Sequence, residues 1–448
     1  MLKLYNTLKR ETEEFKPLSE VVKIYTCGPT VYSRAHIGNL TAYVYWDLLV
    51  RVLKASGFDV KRVLNLTDVG HLVSDGDEGE DKLEKGAERE GKTVWEIADN
   101  YIKAFMADYR DLELVEPEVL ARATDYIEED MRAVDLMREH GFVYETKDGV
   151  YYDTAKFDEY ADFARLNLEG LQAGARVEFS AEKKNASDFA VWKFIQPGER
   201  HAMRWDYLGR PGYPGWHLEC ATIIHKELGE PIDIHTGGID HIPVHHTNEI
   251  AECFAAYGTK LSRYWLHCNF ITIDGEKISK SLGNTYMLDD LAKQGFTALD
   301  YKMWVLSGHY QSTRNFTFES LAAAKQRRLN WRNKIAEYYQ SNLPGDRDAM
   351  DGVMAAVENN LNSPEAFSII DNANLSLEQW GLIDQLFGLK LLEDTPDISA
   401  NSYALIKERE EARETRDFAK ADELRDKLAE LNIEVNDTAD GPVWRYIK

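Results

Sequence analysis

Val21-Val22-Lys23-Ile24-Tyr25-Thr26-Cys27-Gly28-Pro29-Thr30, followed by His36-Ile37-Gly38-Asn39 and an apolar-periodic run from Leu40 to Leu53, decides the fold. Val21 to Thr26 reads as a strand that the Gly-Pro pair breaks into a turn. Leu40 to Leu53 carries apolar residues at helical intervals and stops at Gly57, and Val60 to Leu66 reads as the next strand. Strand, helix, strand is a parallel crossover, the building unit of an α/β domain. Val115 to Glu139 reads as helical, and about 145 to 210 breaks into short, turn-punctuated pieces that suit an insertion. The α/β pattern resumes at Ile232 to Gly238, and Ile271 to Ile273 reads as a further strand. Beyond Phe318 the period is helical, with loops near Asn342 to Gly345 and Glu393 to Ser402. The last segment sets Phe418, Ala421, Leu424, Leu428 and Leu431 at helical spacing on a charged stretch, so it reads as a small separate domain.

The chain's 448 residues are 44% hydrophobic and 29% charged, which excludes a disulfide mini-scaffold and wholesale disorder. No window approaches the roughly 18 apolar residues of a membrane span, and the first residues lack a signal-peptide pattern, so the expected location is the cytoplasm with no membrane partner. The formal charge of −24 repels nucleic acid globally, so a polyanion partner requires a local basic patch. Cysteine is limited to Cys27, Cys220, Cys253 and Cys268, as thiols or metal ligands rather than bridges. Eight of the 12 histidines fall between His201 and His267, the first sign of a site.

Three constellations carry chemistry. His36-Ile37-Gly38-Asn39 stands where a turn enters a helix, and there unpaired amides and the positive end of the dipole suit ATP phosphates. Lys277-Ile278-Ser279-Lys280-Ser281, with Gly on both sides, is a second loop able to close over a triphosphate and stabilise charge as pyrophosphate leaves. Each alone is compatible with ordinary surface; together they point to nucleotide chemistry. The third is Cys27, Cys220 and the run Val244-His245-His246-Thr247-Asn248-Glu249. His245 and Glu249 share a helix face, and two thiolates would complete a tetrahedral zinc site. Without a CxxC pair the cysteines also fit as small core residues, and spacing alone does not choose among His241, His245 and His246.

These motifs, with Gly215-Trp216-His217-Leu218-Glu219-Cys220 and Asp233 to Asp240, resemble in content and order those of the cysteinyl-tRNA synthetase family. The likeness also takes in Leu306 to Tyr310, Ala419 to Asp422 and Trp444-Arg445, so it covers essentially the whole chain. It implies a class I aminoacyl-tRNA synthetase: a Rossmann-type parallel-sheet catalytic domain split by a connective insertion, then a helical bundle and a small C-terminal anticodon-binding domain. The boundaries expected are 1–114 and 211–300 for the two catalytic halves, 115–210 for the insertion, 301–398 for the bundle and 399–448 for the C-terminal domain. Carried over residue by residue, the resemblance makes Cys27, Cys220, His245 and Glu249 the ligands of one Zn²⁺. His36, Asn39, Lys277 and Lys280 become the catalytic residues. His36, Gly38, Asn39, Gly238, Asp240 and Lys280 hold ATP with Mg²⁺, and Thr67, Trp216 and His217 form the L-cysteine pocket. The implied product is cysteinyl-tRNA(Cys), made by a monomer.

For tRNA contact, Lys325, Arg327, Arg328, Arg332 and Lys334 form a helical run without a carboxylate, and Trp331 offers a stacking face. Trp444 and Arg445 match an anticodon-domain motif. Several positions depart from the family's commonest pattern: Asn39 replaces a second histidine, Thr41 a basic residue, Ile278 a methionine and Thr247 an acid. Asp346 to Ser399 is shorter than the usual bundle. The rivals are a ligase that passes cysteine to a small amine, which would not require the C-terminal segment, and a nucleic-acid-binding protein with a structural zinc, which would not require both phosphate loops.

Overall fold

The computed structural model of the protein describes residues 1–70, 82–166, 182–199, 201–279, 282–341, 344–438 and 441–447. Its centre is a five-stranded, wholly parallel sheet. Ser262–Cys268 pairs with Ile232–Gly238, which pairs with Val21–Thr26, then Asp59–Leu66, then Val119–Arg122. Counted in chain order this is 3-2-1-4-5, the Rossmann arrangement, with its switch point between Val21–Thr26 and Ile232–Gly238. Ligands bind at the carboxyl ends of the strands flanking such a point, and there the chain places Cys27 and Gly238. The strands are buried on both faces, which is why they read as near-continuous apolar runs rather than alternating ones.

The first crossover follows the sequence reading, with helix Ile37–Ala55 between the strands Val21–Thr26 and Asp59–Leu66. Val115 to Glu139 does not. Its regular structure begins with the edge strand Val119–Arg122, passes through the 3-10 turn Ala123–Tyr126 and becomes α-helical only at Ile127–Glu139. The catalytic sheet therefore extends past residue 114, because Leu120 and Ala121 align with Leu64 and Asn65 on the adjacent strand. The insertion is a five-stranded antiparallel sheet running from Val143 through Arg210–Pro214, four residues beyond the expected boundary at its last strand. Ser74 to Lys92 is rich in charge and Gly; its residues 74–81 lie outside the described residues, and the helix Lys82–Glu90 follows.

The helices after Phe318 are Phe318–Ser341, Ala349–Glu358, Ser363–Asn372 and Leu377–Phe387, so the bundle breaks more often than at the two expected loops. They are not separated from the catalytic domain: one continuous apolar core runs from Ile24 and Leu48 through Trp304 to Trp331, Phe367 and Trp380. The C-terminal region packs two helices, Ala400–Glu414 and Phe418–Glu430, on a hairpin of Ile433–Thr438 with Gly441–Tyr446. That hairpin interrupts the helical period expected to the end of the chain. Ala421, Leu424 and Leu428 form the buried stripe, while Phe418 and Leu431 face solvent.

Candidate active site and metal centre

The site is built from the carboxyl ends of the central strands. The turn after Val21–Thr26 passes so close to the next strand that a Cβ on Gly28 would sit 1.6 Å from the Asn65 carbonyl oxygen. Only glycine fits there. Asn65 then organises the surroundings. Its Oδ1 accepts from the Gly28 amide at 2.7 Å, and its Nδ2 donates to Thr67 Oγ1 and Glu219 Oε1, both at 3.1 Å. Thr67 Oγ1 also donates to Glu219.

Above this floor lies a buried cluster. Cys27, Cys220, His245 and Glu249 bring one donor atom each to within 4.8 Å of one another, and so do Cys27, His235, His246 and Glu249. Glu249 Oε1 lies 2.9 Å from His245 Nε2, and Oε2 lies 2.7 Å from His235 Nε2. Cys220 Sγ is 3.6 Å from His245 Nε2, and Cys27 Sγ is 3.3 Å from His246 Nε2. The residues at 245 and 246 both reach the cluster because Ile242–His246 is a π-helical turn ahead of helix Thr247–Tyr257. Such wide turns recur at functional sites.

Burial alone opposes charge on these groups, yet the cluster is arranged to hold it. The Cys27 thiol is driven down against its burial by the Cys220 thiol and the His246 and His235 imidazoles. Glu249, despite burial, is held down to about 2, chiefly by His235 and His245. Burial pushes the Cys220 thiol up. A thiolate, a carboxylate and neutral-capable imidazoles at these separations are the donor set of a thiophilic divalent cation, so the residues fit a metal. The other imidazoles support the cluster: His217 Nδ1 lies 2.8 Å from His245 Nδ1, and His246 Nδ1 lies 2.7 Å from His267 Nε2. His246 stood in the sequence as an open alternative to His245, whereas His235, His267, Asn65 and Glu219 were not singled out there as site residues. The crowding of histidines between 201 and 267 was their only trace.

The cluster opens into a cavity of about 660 Å³ that Cys27, Thr67, Trp216, Gly238, Asp240 and His245 line together with His36, Gly38, Asn39, Lys277 and Ile278. His217 is buried behind Trp216, packed against His245. Lys280 lies outside the described residues. The two phosphate loops meet directly: the Ile37 amide donates to the Tyr286 carbonyl at 2.9 Å, and a Cβ on Gly38 would meet Ile278 Cδ1 at 2.5 Å. Asn39 caps the helix, its Oδ1 accepting from the His36 amide at 3.1 Å while its own amide donates to His36 Nδ1 at 3.3 Å. Thr41 is buried against Tyr301, whose hydroxyl donates to the Ile37 carbonyl at 2.7 Å. The side chain at 41 thus faces the core of this chain.

Two expected tRNA contacts are corrected by packing. The helix Phe318–Ser341 buries Arg328 and Arg332 and ties its other cations to neighbouring segments: Arg327 pairs with Asp371 at 2.6 Å, Arg328 with Asp394, and Arg332 with Thr395 Oγ1 at 3.0 Å and the Asp394 carbonyl at 2.6 Å. Lys334 donates to the carbonyls of Ile370, Asp371 and Ala373, and Lys325 to that of Gly295. Trp331, 1% exposed, gives its Nε1 proton to Asp371 and has no face for a base. The run lacks carboxylates because its partners come from neighbouring segments. Trp444 is likewise 1% exposed, in a core with Ala336 and Leu428, and Arg445 is paired with Glu337 at 2.6 Å.

A switch-point Rossmann sheet, a helix-entry phosphate loop and a second loop closing on it define the catalytic domain of a class I aminoacyl-tRNA synthetase. The family model described as "tRNA synthetases class I (C) catalytic domain" matches residues 14–326, and that of the "Cysteinyl-tRNA ligase anticodon binding domain" matches residues 395–445. The chain is 39% identical to the cysteine–tRNA ligase of Treponema denticola over the full length of both, and 43% identical to cysteine–tRNA ligase 1 of Burkholderia lata over 98% of this chain and 96% of that one. Among solved structures, methionyl-tRNA synthetase of Mycobacterium tuberculosis with methionyl-adenylate superposes with a TM-score of 0.59 at 14% identity, covering 88% of this chain and 84% of that one, a likeness of fold. The chain belongs to the cysteinyl-tRNA synthetase family.

Among the described residues no helix is long and apolar enough to cross a membrane.

Proposed function

We propose that the protein is a monomeric, cytoplasmic cysteine–tRNA ligase: it activates L-cysteine with Mg²⁺-ATP and transfers it to the terminal adenosine of tRNA(Cys). The observation that carries this reading is the opening of a buried thiol, imidazole and carboxylate cluster into the same cavity as both phosphate loops.

The cysteine carboxylate, ionised at pH 7, attacks the α-phosphorus of ATP and the bond to pyrophosphate breaks; a ribose hydroxyl of tRNA then attacks the adenylate carbonyl, the acyl–phosphate bond breaks, and AMP leaves as the hydroxyl proton is released. No covalent protein nucleophile is needed, so the protein aligns the reactants and stabilises charge on the phosphates. The helix entry at His36 to Asn39 receives the phosphates, and Lys277 and Lys280 bring positive charge as pyrophosphate departs. Gly238 and Asp240 flank the nucleoside, and Thr67, Trp216 and His217 enclose the amino acid. Cys27, Cys220, His245 and Glu249 hold Zn²⁺, which when bound supplies a soft position that accepts a thiolate far better than a hydroxyl. His235 and His246 orient Glu249 and Cys27 by the contacts at 2.7 and 3.3 Å.

The test is ATP–pyrophosphate exchange on metal-loaded protein with cysteine and with serine, followed by charging of tRNA(Cys). Exchange with cysteine alone, then charging, is the expected result. Exchange without charging would transfer the reading to a small-acceptor ligase, and no exchange with metal bound would favour the nucleic-acid-binding rival.

With Trp444 buried, the most exposed aromatic of the C-terminal domain is Phe418, the candidate stacking surface. It is 59% exposed at the start of its helix, next to Lys420 and following Arg413 and Arg416. An exposed aromatic among cations suits an unpaired base, with stacking contributing about 1–3 kcal/mol by alanine substitution. Phe418→Ala is expected to weaken tRNA binding by roughly 5- to 150-fold on that basis, leaving exchange unchanged. Filter binding and exchange on one preparation check both halves.

A further inference from the structure

Three of the four proposed metal ligands have a supporting side chain from outside the set. His235 Nε2 meets Glu249 Oε2 at 2.7 Å, His246 Nε2 meets Cys27 Sγ at 3.3 Å, and His217 Nδ1 meets His245 Nδ1 at 2.8 Å. Cys220 differs. Its sulfur lies 3.6 Å from His245 Nε2, a fellow ligand, and the side chain from outside the set that reaches it is the phenol of Tyr25.

The sheet brings Tyr25 there. Tyr25 stands two residues before Cys27, and the Cys27 amide continues the strand ladder by donating to the Thr236 carbonyl at 3.1 Å, so the two side chains leave the same face. Strand register pairs Tyr25 with His235, and their rings lie 5.2 Å apart at 54°. Tyr25 is wholly buried and packs in one cluster with Cys27 and Cys220. Its hydroxyl completes no hydrogen bond among the described residues, and a buried hydroxyl without an acceptor calls for an explanation. The ionisable groups that act on it are Cys220, within hydrogen-bonding reach, then Cys27 and Glu249. Glu249 already faces an imidazole on each oxygen, and Cys27 has His246. Cys220 is the acceptor that remains. A neutral thiol accepts weakly and a thiolate strongly, so the hydroxyl is placed for Cys220 in its metal-ligating form.

We infer that Tyr25 is a positioning residue for the metal centre: its hydroxyl donates to the Cys220 thiolate, fixing the direction of that ligand and drawing off part of its charge. This rests on the function proposed above, through Cys220 as a ligand. Tyr25 is not among the residues that line the cavity, so it acts through Cys220 and not on a substrate. Outer-shell partners of this kind govern how tightly a centre holds its metal.

Tyr25→Phe keeps the ring and removes only the donor. Competition with a chromophoric chelator for Zn²⁺ should show a metal affinity about 10- to 100-fold below wild type. With Co²⁺ in place of Zn²⁺, at saturating metal, the thiolate-to-cobalt charge-transfer band should move to longer wavelength, because a thiolate relieved of a hydrogen bond gives up its electrons more easily. Tyr109→Phe is the control: Tyr109 is buried too, its hydroxyl donates to the Val115 carbonyl at 3.1 Å, and both readings should stay at the wild-type level. An unmoved band in Tyr25→Phe would overturn the inference whatever the affinity does, since a packing defect lowers affinity without changing the charge on the sulfur. The same band shift in Tyr109→Phe would overturn it as well. A wild-type chain without a thiolate band in Co²⁺ would overturn the metal centre and the role of Tyr25 with it. Absence of exchange in a chain that does bind metal would count against the proposed ligase instead, and the band would still decide Tyr25.

Discussion

Cys220→Ala is expected to strip the protein of bound metal and to collapse its preference for cysteine over serine. The two amino acids differ at one atom, and a pocket that distinguishes them by shape alone yields about 1–3 kcal/mol, or roughly 10–200-fold. A thiophilic cation changes the comparison, because a thiol with an ordinary pKa near 8.5 ionises readily as a ligand and an alcohol does not. Cys220 is fully buried, with Sγ 3.6 Å from His245 Nε2, and belongs to one of the two donor sets that meet at Cys27 and Glu249. With it gone, discrimination in ATP–pyrophosphate exchange should fall into the shape-only range, and metal content by atomic absorption should fall with it. Cys253→Ala is the matched control. Cys253 is also buried but belongs to neither donor set and donates to the Thr259 carbonyl at 3.6 Å, so its loss should leave both quantities at the wild-type level. Full metal and full discrimination in Cys220→Ala would sink the assignment of Cys220 as a ligand. The same pair of measurements on His246→Ala separates the two donor sets: loss of metal as complete as in Cys220→Ala would make His246 a ligand rather than a support for Cys27.

What the sequence discloses here follows from how local its causes are. The strand Val21–Thr26 and the helix behind it were legible because apolar period, turn residues and caps act within a few positions. Val119–Arg122 was not, since four residues beside a longer helical pattern become a strand only by pairing with Asp59–Leu66. The two candidate phosphate loops are runs of contiguous residues, so as candidates they could be picked out directly. The thiol, imidazole and carboxylate cluster depends on distant cysteines and on a π-helical turn, so spacing left His245 and His246 undivided, and the structure brings both to Cys27 and Glu249. The basic face of Phe318–Ser341 misled for the same reason. The carboxylates and carbonyls that neutralise Arg327, Arg328 and Arg332 lie some forty to sixty residues away, at Asp371, Leu389, Asp394 and Thr395. Phe418, expected in the buried stripe, faces solvent and Trp444, expected at the surface, is buried, because helical spacing cannot show which residues the hairpin covers.

Asp47→Ala is expected to cost the fold about 3–5 kcal/mol, the range for breaking a buried ion pair by deleting one partner. Asp47 interrupts the apolar run of the first helix and is wholly buried. Its carboxylate accepts from Lys302 Nζ at 2.9 Å, Arg51 Nε at 2.7 Å and the Val115 amide at 2.7 Å. Lys302 lies on helix Ala298–Leu306, whose Tyr301 holds the Ile37 carbonyl, so the same joint sets where the first phosphate loop begins. Deleting the carboxylate leaves the buried Lys302 ammonium without its counter-charge and with the Glu113 carbonyl at 3.0 Å; Arg51 keeps the carbonyls of Gln385 and Glu113. The urea midpoint should drop at constant slope. Asp47→Leu with Lys302→Met should lose less than Asp47→Ala alone, because no charge is then left buried. Burial pushes the Asp47 carboxyl up, but Lys302, Arg51 and the Val115 amide outweigh it and hold the folded value below the ordinary carboxylate range. The unfolded chain therefore binds the proton first as pH falls. The advantage of wild type over Asp47→Asn should be complete above the unfolded value near 3.9 and vanish as pH drops through the lower folded value. A constant difference between the two proteins across that window would show that Asp47 acts by shape and hydrogen bonding rather than by charge.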